Sequence, residues 1–174
     1  MALCAVFPGT FDPIHFGHID IANRGCRIFD ELIIAVYDRP LKELCFSPDE
    51  RLDMVNRAFV GNNKVTVVGY SVLTVDFCRN RGAEFLLRGL RVFSDFEHEF
   101  RMALANRRLD VTIDTISLIT SEEHTFLNST TVREIASLGG DVSSMVPEAV
   151  RLALTEKFSD PTVQQSSTQS SLRD

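Results

Sequence analysis

Five short apolar runs divide the first 120 residues of the chain, and longer amphipathic segments separate them. The runs are rich in valine, isoleucine and leucine, and most do not alternate between apolar and polar positions. Continuous apolar runs of this length are typical of parallel strands that are buried on both faces of a sheet. We therefore predict five strands, over residues 3–7, 32–37, 64–70, 84–90 and 115–120.

The segments between and after these runs have the periodicity and the end signals of helices. The clearest begins at Ser47, which is followed by Pro48 and Glu50, the N-cap, first-turn proline and capping box that start a helix. Another ends at the glycine pair 139–140, because glycine favours the left-handed backbone that closes a helix. The predicted helices cover residues 18–29, 47–59, 74–80, 93–107, the segment from 128 to this glycine pair, and about 147–158.

The fourth predicted helix has four large apolar residues at helical spacing, Phe93, Phe96, Phe100 and Leu104. Such a stripe usually faces the interior of a protein. We interpret it as part of the core and not as a cofactor site.

The order of strands and helices indicates an α/β fold. Strands that alternate with helices form right-handed crossovers and pair into a parallel sheet. We predict a single domain over residues 1–158, with a doubly wound, five-stranded parallel sheet and additional helices at its C-terminal end. Residues 159–174 are rich in serine and glutamine and nearly free of apolar residues, so we expect a disordered tail.

Composition and charge exclude several classes of protein. No apolar run approaches the roughly 20 residues that a membrane span requires, and the N-terminus lacks the features of a signal peptide. The four cysteines of the 174 residues are scattered singly, so neither a disulfide framework nor a zinc site is expected. The net charge of −6 argues against a nucleic-acid partner. From the short apolar runs, the scattered cysteines and the N-terminus we expect no membrane association and a cytoplasmic location.

The loops that follow the strands carry the candidate chemistry, since ligands of a doubly wound sheet bind beyond the carboxyl ends of its strands. The loop "FPGTFDPIHFGH", residues 7–18, bends at glycines and prolines and ends on two histidines at the start of a helix. Spacing alone leaves three interpretations open: half of a metal site at His15 and His18, a turn with incidental histidines, or a phosphate site at a helix N-terminus. The chain contains neither G-x-G-x-x-G nor a P-loop motif.

Two motifs resemble the signature of the nucleotidylyltransferase superfamily. They are "HFGH" after the first strand and "NSTTVRE", in which Ser129, Thr130 and Arg133 fit a Ser/Thr-x-x-x-Arg pattern. The segments "PGTFDPIHFGHIDI", "FSPDERLDMV", "LLRGLRVFSDFEHEFRMA" and "REIASLGGDVSSMVPEAV" look like those of bacterial phosphopantetheine adenylyltransferases, in the same order. The resemblance covers the chain from about residue 3 to residue 158.

The resemblance implies a Rossmann-like nucleotidylyltransferase fold and a defined reaction. ATP and 4′-phosphopantetheine would react reversibly to give dephospho-coenzyme A and pyrophosphate, the penultimate step of coenzyme A synthesis. The attacking phosphate monoester has a second pKa of about 6, so it is largely dianionic at neutral pH and attacks directly without a general base. The resemblance further implies Mg²⁺ bound with ATP, a homohexamer, and feedback inhibition by coenzyme A.

The resemblance also implies roles for individual residues. His18 would stabilise the pentacoordinate α-phosphate, Thr10 would hydrogen-bond the acceptor phosphate, and Lys42 would bridge the acceptor phosphate and the α-phosphate. Arg91 would contact the β- and γ-phosphates, which completes the expected catalytic set. His15 would orient the ATP phosphates.

The remaining expected residues bind one substrate or the other. Thr74 and Arg88 would join Thr10 and Lys42 on the pantetheine side. The expected ATP-binding residues are Thr10, Phe11, His15, His18, Gly89, Leu90, Arg91, Glu99, His124, Thr125, Phe126, Leu127, Asn128, Ser129 and Thr130. No residue is expected to bind a metal directly.

Two other functions stay open at this level. The same fold transfers nucleotidyl groups to other acceptors, such as nicotinamide mononucleotide or glycerol phosphate, but "DFEHEF" and "LLRGLR" argue against both. A nucleotide-binding regulatory module would not need Thr10, His18, Lys42 and Arg91 together. The chain departs from the usual family pattern at "YDRPLK", at "NST" and at His124.

Overall fold

Five parallel strands form the sheet at the centre of the molecule. The computed structural model describes residues 2–41 and 43–159, apart from the side chain of Ser94. The strands are β1 (Cys4–Gly9), β2 (Glu31–Tyr37), β3 (Val65–Tyr70), β4 (Phe85–Leu90) and β5 (Asp114–Ile119). The helices are α1 (Phe16–Gly25), α2 (Pro48–Ala58), α3 (Thr74–Arg81), α4 (Phe93–Leu109), α5 (Ser129–Ser137) and α6 (Glu148–Ser159), with a 3-10 turn at Glu122–His124. The predicted fold class is confirmed.

The order of the strands reverses between β1 and β4. The sheet order is β3-β2-β1-β4-β5 and every pairing is parallel, so the sheet is doubly wound as predicted. β1 pairs with β2 along six residues but with β4 only at Ala5↔Phe85 and Val6↔Leu86. The carboxyl ends of β1 and β4 therefore diverge, and a crevice opens beyond them at the switch point.

Apolar side chains build two cores, one on each face of the sheet. Phe7 and Leu87 belong to the core that includes residues of α1, α2, α5 and α6. Val6 and Leu86, their neighbours along the two strands, point to the opposite face and pack with residues of α3. The two cores hold β1 and β4 rigidly where the crevice begins.

The prediction that the strands are buried on both faces holds for β2 and for most of β1, but it is wrong for the edge strands. β3 and β5 are only partly covered, and Ile119 of β5 is 73% exposed. An edge strand has a neighbouring strand on one side only, and its apolar composition does not reveal that position.

Helix α1 covers Phe16–Gly25 and not the predicted residues 18–29. It starts earlier because His15, with an extended backbone, already caps it. It approaches β4 so closely at Gly25 that a Cβ atom there would lie 2.5 Å from Cδ2 of Leu87. The chain then turns, with the amide of Ile28 donating to the carbonyl of Gly25.

The phenylalanine stripe of α4 does not lie in the core, so that prediction is wrong. Phe93 is 89% exposed, and Phe96, Phe100 and Leu104 are 51%, 53% and 55% exposed. Helical spacing shows that one face of a helix is apolar, but it does not show what covers that face. Among residues 2–41 and 43–159, no side chain covers this stripe enough to bury it, since all four of its members stay at least half exposed.

The C-terminal helix α6 packs on α5 and ends at Ser159. The rest of the predicted tail, residues 160–174, lies outside the described residues. Across residues 2–41 and 43–159, no helix combines the length and the apolar character that a membrane span needs.

We predict that Leu87→Ala lowers the free energy of unfolding by about 2–5 kcal/mol, because Leu87 is fully buried and its removal leaves a cavity between β4 and α1. The matched variant Leu138→Ala, at a position 83% exposed, should change it by less than about 0.5 kcal/mol. Urea unfolding followed by circular dichroism measures both values. Equal losses would contradict the assignment of Leu87 to the core.

Candidate active site

Two adjoining cavities occupy the crevice beyond β1 and β4. The histidine cavity, of about 430 Å³, is lined by Phe7, Pro8, Phe11, His15, Gly17, His18, Ile21, Arg88, Gly89, Arg91, Asp95, His98, Glu99, Thr120, Asn128, Ser129 and Thr130. The tyrosine cavity, of about 400 Å³, is lined by Pro8, Gly9, Tyr37, Tyr70, Ser71, Val72, Leu73, Thr74, Leu86, Arg88, His98, Glu99, Met102, Ala103, Asn106 and Thr115. Four of these residues line both cavities, namely Pro8, Arg88, His98 and Glu99. Two ligands bound side by side would meet at this shared wall.

An ion pair between β4 and α4 holds the shared wall. Nε and Nη2 of Arg88 donate to the two carboxylate oxygens of Glu99 over 2.7 and 2.6 Å. Nη1 of Arg88 donates to the carbonyl of Pro8 over 2.7 Å. A bidentate ion pair of this kind fixes the orientation of both side chains. Glu99 is therefore not a solvated helix charge, since its side chain is only 11% exposed.

The two histidines of the first loop hold each other in place. His15 caps α1, and its Nδ1 accepts from the amide of His18, while Nδ1 of His18 accepts from the amide of His15. Their rings stack with centroids 3.7 Å apart, and the ring of Phe11 meets that of His18 edge-on at 5.0 Å. The His18 ring is therefore held by hydrogen bonds and by packing on both sides.

This arrangement sets the protonation of His18. Because Nδ1 accepts a backbone N–H, the neutral ring carries its proton on Nε2 and offers one donor from a ring that lines the cavity. Burial, followed by His15, Arg91 and Arg88, holds the pKa of His18 well below its usual 6.5. Burial likewise lowers the pKa of His15 to about 3, helped by Arg91 and His124. Both rings are neutral in the ligand-free site near pH 7.

Arginine and a second helix N-terminus complete the positive side of the histidine cavity. Arg91 pairs with Asp95 at 3.0 Å and donates to the carbonyl of Leu127 over 2.8 Å. Asn128 caps α5 by accepting from the amide of Thr131, and the hydroxyl of Ser129 donates to the carbonyl of Pro13. The starts of α1 and α5 thus face the same cavity, and helix N-termini favour anions.

Asp12 organises the site, although nothing in the sequence distinguishes it from other acidic residues. It is fully buried, and its carboxylate accepts from the amides of Cys45 and Phe46, both over 2.9 Å. It also pairs with Arg133 at 3.2 Å, and Arg133 donates to the Asp12 carbonyl. Asp12 therefore joins the first loop to the chain before α2 and to α5.

A second link lies at the start of the loop after β5. The carboxylate of Asp20 accepts from the amide and the hydroxyl of Ser121 and pairs with Arg24, which donates to the carbonyl of Ile119. Like Asp12, Asp20 is an acid that sequence reasoning missed. The polar residues of the histidine cavity that it also missed are Asp95, His98 and Thr120. Asp95 and His98 lie within "DFEHEF", of which only Glu99 was expected to bind ATP.

The structure brings most of the predicted site residues together. Those that line the histidine cavity are Phe11, His15, His18, Gly89, Arg91, Glu99, Asn128, Ser129 and Thr130. Thr74 and Arg88, expected on the pantetheine side, line the tyrosine cavity, and the Thr74 hydroxyl lies 3.1 Å from that of Tyr70.

The remaining predicted residues line neither cavity. They are Thr10, Leu90, His124, Thr125, Phe126 and Leu127. Thr10 nevertheless lies between Gly9, in the wall of the tyrosine cavity, and Phe11, in the wall of the histidine cavity. Lys42 lies outside the described residues.

The described residues do not support the metal interpretation of the two histidines. In residues 2–41 and 43–159, no three or more histidine, cysteine, aspartate or glutamate side chains are arranged to hold an ion. Both Nδ1 atoms are already used as acceptors of backbone N–H groups.

The low pKa of His15 predicts a loss of stability in acid. In the unfolded chain the imidazole of His15 is protonated near pH 6.5, whereas in the folded chain it stays neutral down to about pH 3. The contribution of His15 to stability is therefore complete above pH 6.5 and is lost progressively as the pH falls below this value. Between about pH 7 and pH 5, the free energy of unfolding of the wild type should fall by about 2 kcal/mol more than that of His15→Asn. The asparagine keeps an oxygen that can cap the helix. Urea unfolding at each pH measures this difference, and parallel curves would contradict it.

Known proteins resemble this chain over most of its length. Residues 6–135 match the cytidylyltransferase-like family. The chain is 47% identical over 163 residues to the phosphopantetheine adenylyltransferase of Alkalilimnicola ehrlichii, covering 92% of this chain and 94% of that protein. It is 51% identical over 154 residues to that of Roseiflexus castenholzii (88% and 96%) and 49% identical over 158 residues to that of Methylococcus capsulatus (91% and 98%). The chain therefore belongs to the phosphopantetheine adenylyltransferase family.

Proposed function

We propose that this protein transfers the adenylyl group of ATP to 4′-phosphopantetheine, forming dephospho-coenzyme A and pyrophosphate. The observation that supports this most directly is the pair of cavities that share the wall of Pro8, Arg88, His98 and Glu99. A transfer reaction needs two substrates whose reacting groups meet at one point. Relatives that carry this name align with nearly the whole chain.

The chemistry of the two linings supports one substrate in each cavity. The histidine cavity has two helix N-termini and Arg91, which suit the triphosphate of ATP. The tyrosine cavity combines Tyr37 and Tyr70 with apolar side chains such as Leu73 and Met102. This mixture suits the extended amide and alkyl chain of pantetheine, with its phosphate directed toward Arg88.

In this arrangement the acceptor phosphate is the nucleophile. One of its oxygens forms a bond to the α-phosphorus of ATP while the bond from that phosphorus to the bridging β-phosphate oxygen breaks, and the electron pair leaves with pyrophosphate. The Nε2–H of His18 donates to a non-bridging α-phosphate oxygen as charge develops there. Arg88 and Arg91 neutralise charge on the two sides of the transfer, and Thr10 and Lys42 are proposed to bind the acceptor phosphate.

Magnesium would enter with ATP and reside mainly on the triphosphate oxygens. The two carboxylates that line the histidine cavity are Asp95 and Glu99, and each is paired with an arginine. They leave no cluster of free carboxylates in that cavity, and Mg²⁺ readily keeps water and phosphate oxygens as its ligands. The ion would supply additional charge neutralisation on the phosphates.

Coenzyme A contains the same adenylyl and phosphopantetheine portions as the product, so it would fit the same two cavities. This supports the feedback inhibition that the family resemblance implies.

We expect the enzyme to act in the cytoplasm, where its substrate ATP is regenerated.

The exposed stripe of α4 supports the proposed homohexamer. Phe93, Phe96, Phe100 and Leu104 form an open apolar face, and such faces mark contacts between proteins. A second copy of the chain is the partner that the resemblance implies.

We predict that His18→Ala lowers kcat about 10²–10³-fold, because the donor to the α-phosphate is lost while the contacts to the rest of ATP remain. His18→Gln should lose less, since its amide provides a donor at similar reach. Pyrophosphate release with phosphopantetheine, nicotinamide mononucleotide and glycerol 3-phosphate measures the activity, and calorimetry measures ATP binding.

Three outcomes would contradict this assignment. Equal turnover of nicotinamide mononucleotide would overturn the acceptor, and a near-normal kcat in His18→Ala would overturn the role of His18. ATP binding without turnover of any acceptor by the wild type would favour a regulatory module.

We predict that Phe96→Asp and Phe100→Asp dissociate the assembly into smaller species, because each places a charge in an apolar contact. Val60→Asp, at an 83% exposed apolar position outside α4, is the matched control and should leave the assembly unchanged. Sedimentation velocity at micromolar concentration measures the species. An unchanged sedimentation coefficient in both α4 variants would show that the stripe is not the contact.

A further inference from the structure

Arg51 is the largest fully buried side chain among the described residues, yet it lines neither cavity. It belongs to the first turn of α2, the helix that Ser47 caps. Side chains of a helix lean toward its N-terminus, and here that direction leads to the carboxyl ends of β1 and β2. An arginine without solvent contact therefore lies beside the loops that form the site.

The hydrogen bonds of the Arg51 guanidinium all go to backbone carbonyls. Nη1 donates to the carbonyl of Thr10 over 2.6 Å and to that of Tyr37 over 2.8 Å. Nε donates to the carbonyl of Phe46 over 3.3 Å. The three carbonyls come from the loop after β1, the last residue of β2 and the chain just before α2. One guanidinium thus sets the distances among three segments.

Packing alone does not explain an arginine at this position. Nη2 is buried and has no hydrogen-bond partner in the described part of the chain. A buried donor without a partner costs stability, and a buried charge can often be replaced by an apolar side chain of similar size without loss. The geometric property that methionine or lysine lacks is a rigid planar fork of donors.

We infer that Arg51 is a positioning residue for the acceptor substrate: it fixes the Thr10 carbonyl against the end of β2 and thereby orients the segment between the two cavities. Thr10 follows Gly9, in the wall of the tyrosine cavity, and its hydroxyl is proposed to bind the acceptor phosphate, so the held carbonyl fixes the backbone that carries this side chain. Tyr37, the second partner, lines the tyrosine cavity itself. The histidine cavity is held independently by the pairing of His15 with His18 and by Arg91.

This inference rests on the proposed function, and a split between KM and kcat tests it. In Arg51→Met, the KM for phosphopantetheine should rise about tenfold or more and kcat should fall about 10- to 100-fold, while the KM for ATP changes less than about threefold. Arg51→Lys keeps the charge but cannot hold all three carbonyls, so its values should lie between. The stability control is Met54→Ala in the same helix, which removes a buried side chain and should lower the thermal midpoint with near-normal kinetics.

The outcomes separate this inference from the proposed function. Normal kinetics in Arg51→Met, or an equal rise of both KM values, would overturn the positioning role while the wild type remains active. If Arg51→Met does not fold, Arg51→Lys decides by the same two criteria. A wild type that turns over no acceptor would overturn the proposed function and this inference with it.

Discussion

The ion pair of Arg88 and Glu99 is the contact on which the site depends most. It joins β4, which is fixed in two cores, to α4, which is held by neither core. Apart from Ser94, whose side chain is not described, every residue of α4 is at least partly exposed. The wall between the two cavities therefore depends on the position of α4, and that position is set by ion pairs and by contacts of α4 with β4 and β5. A partner that covered the apolar stripe of α4 would stabilise this same wall, and activity would then depend on the proposed assembly.

Most of the fold could be predicted because short-range signals agree with the packing. The strands lie within two residues of their predicted bounds, and the capping box at Ser47 marks the start of α2. The errors in predicted burial share one cause. The α4 stripe and the apolar strand β5 have the pattern of buried elements, but the pattern does not specify whether cover comes from the chain itself or from a neighbour.

Some residues of the site could be predicted from the sequence and others could not, for a similar reason. His18, Arg91 and Ser129 belong to recognisable motifs and converge on one cavity. Asp12 and Arg51 look like ordinary surface charges in the sequence, because charged residues are rarely buried. Their role comes from carbonyls and amides that the fold brings near them, and no side-chain pattern encodes where backbone groups will lie. The tautomer of His18 is equally a product of tertiary geometry.

The charges around His18 decide what that histidine contributes. A protonated imidazole would attract phosphates more strongly, but burial above all, and then His15, Arg91 and Arg88, oppose its protonation by lowering its pKa. Bound ATP would bring negative charge that opposes this effect. The arginines thus provide the permanent positive charge, while the histidine provides a single donor whose direction is fixed by the amide of His15. In the proposed transfer, a fixed donor directed at the developing charge would require no reorganisation, which is the property that lowers a barrier.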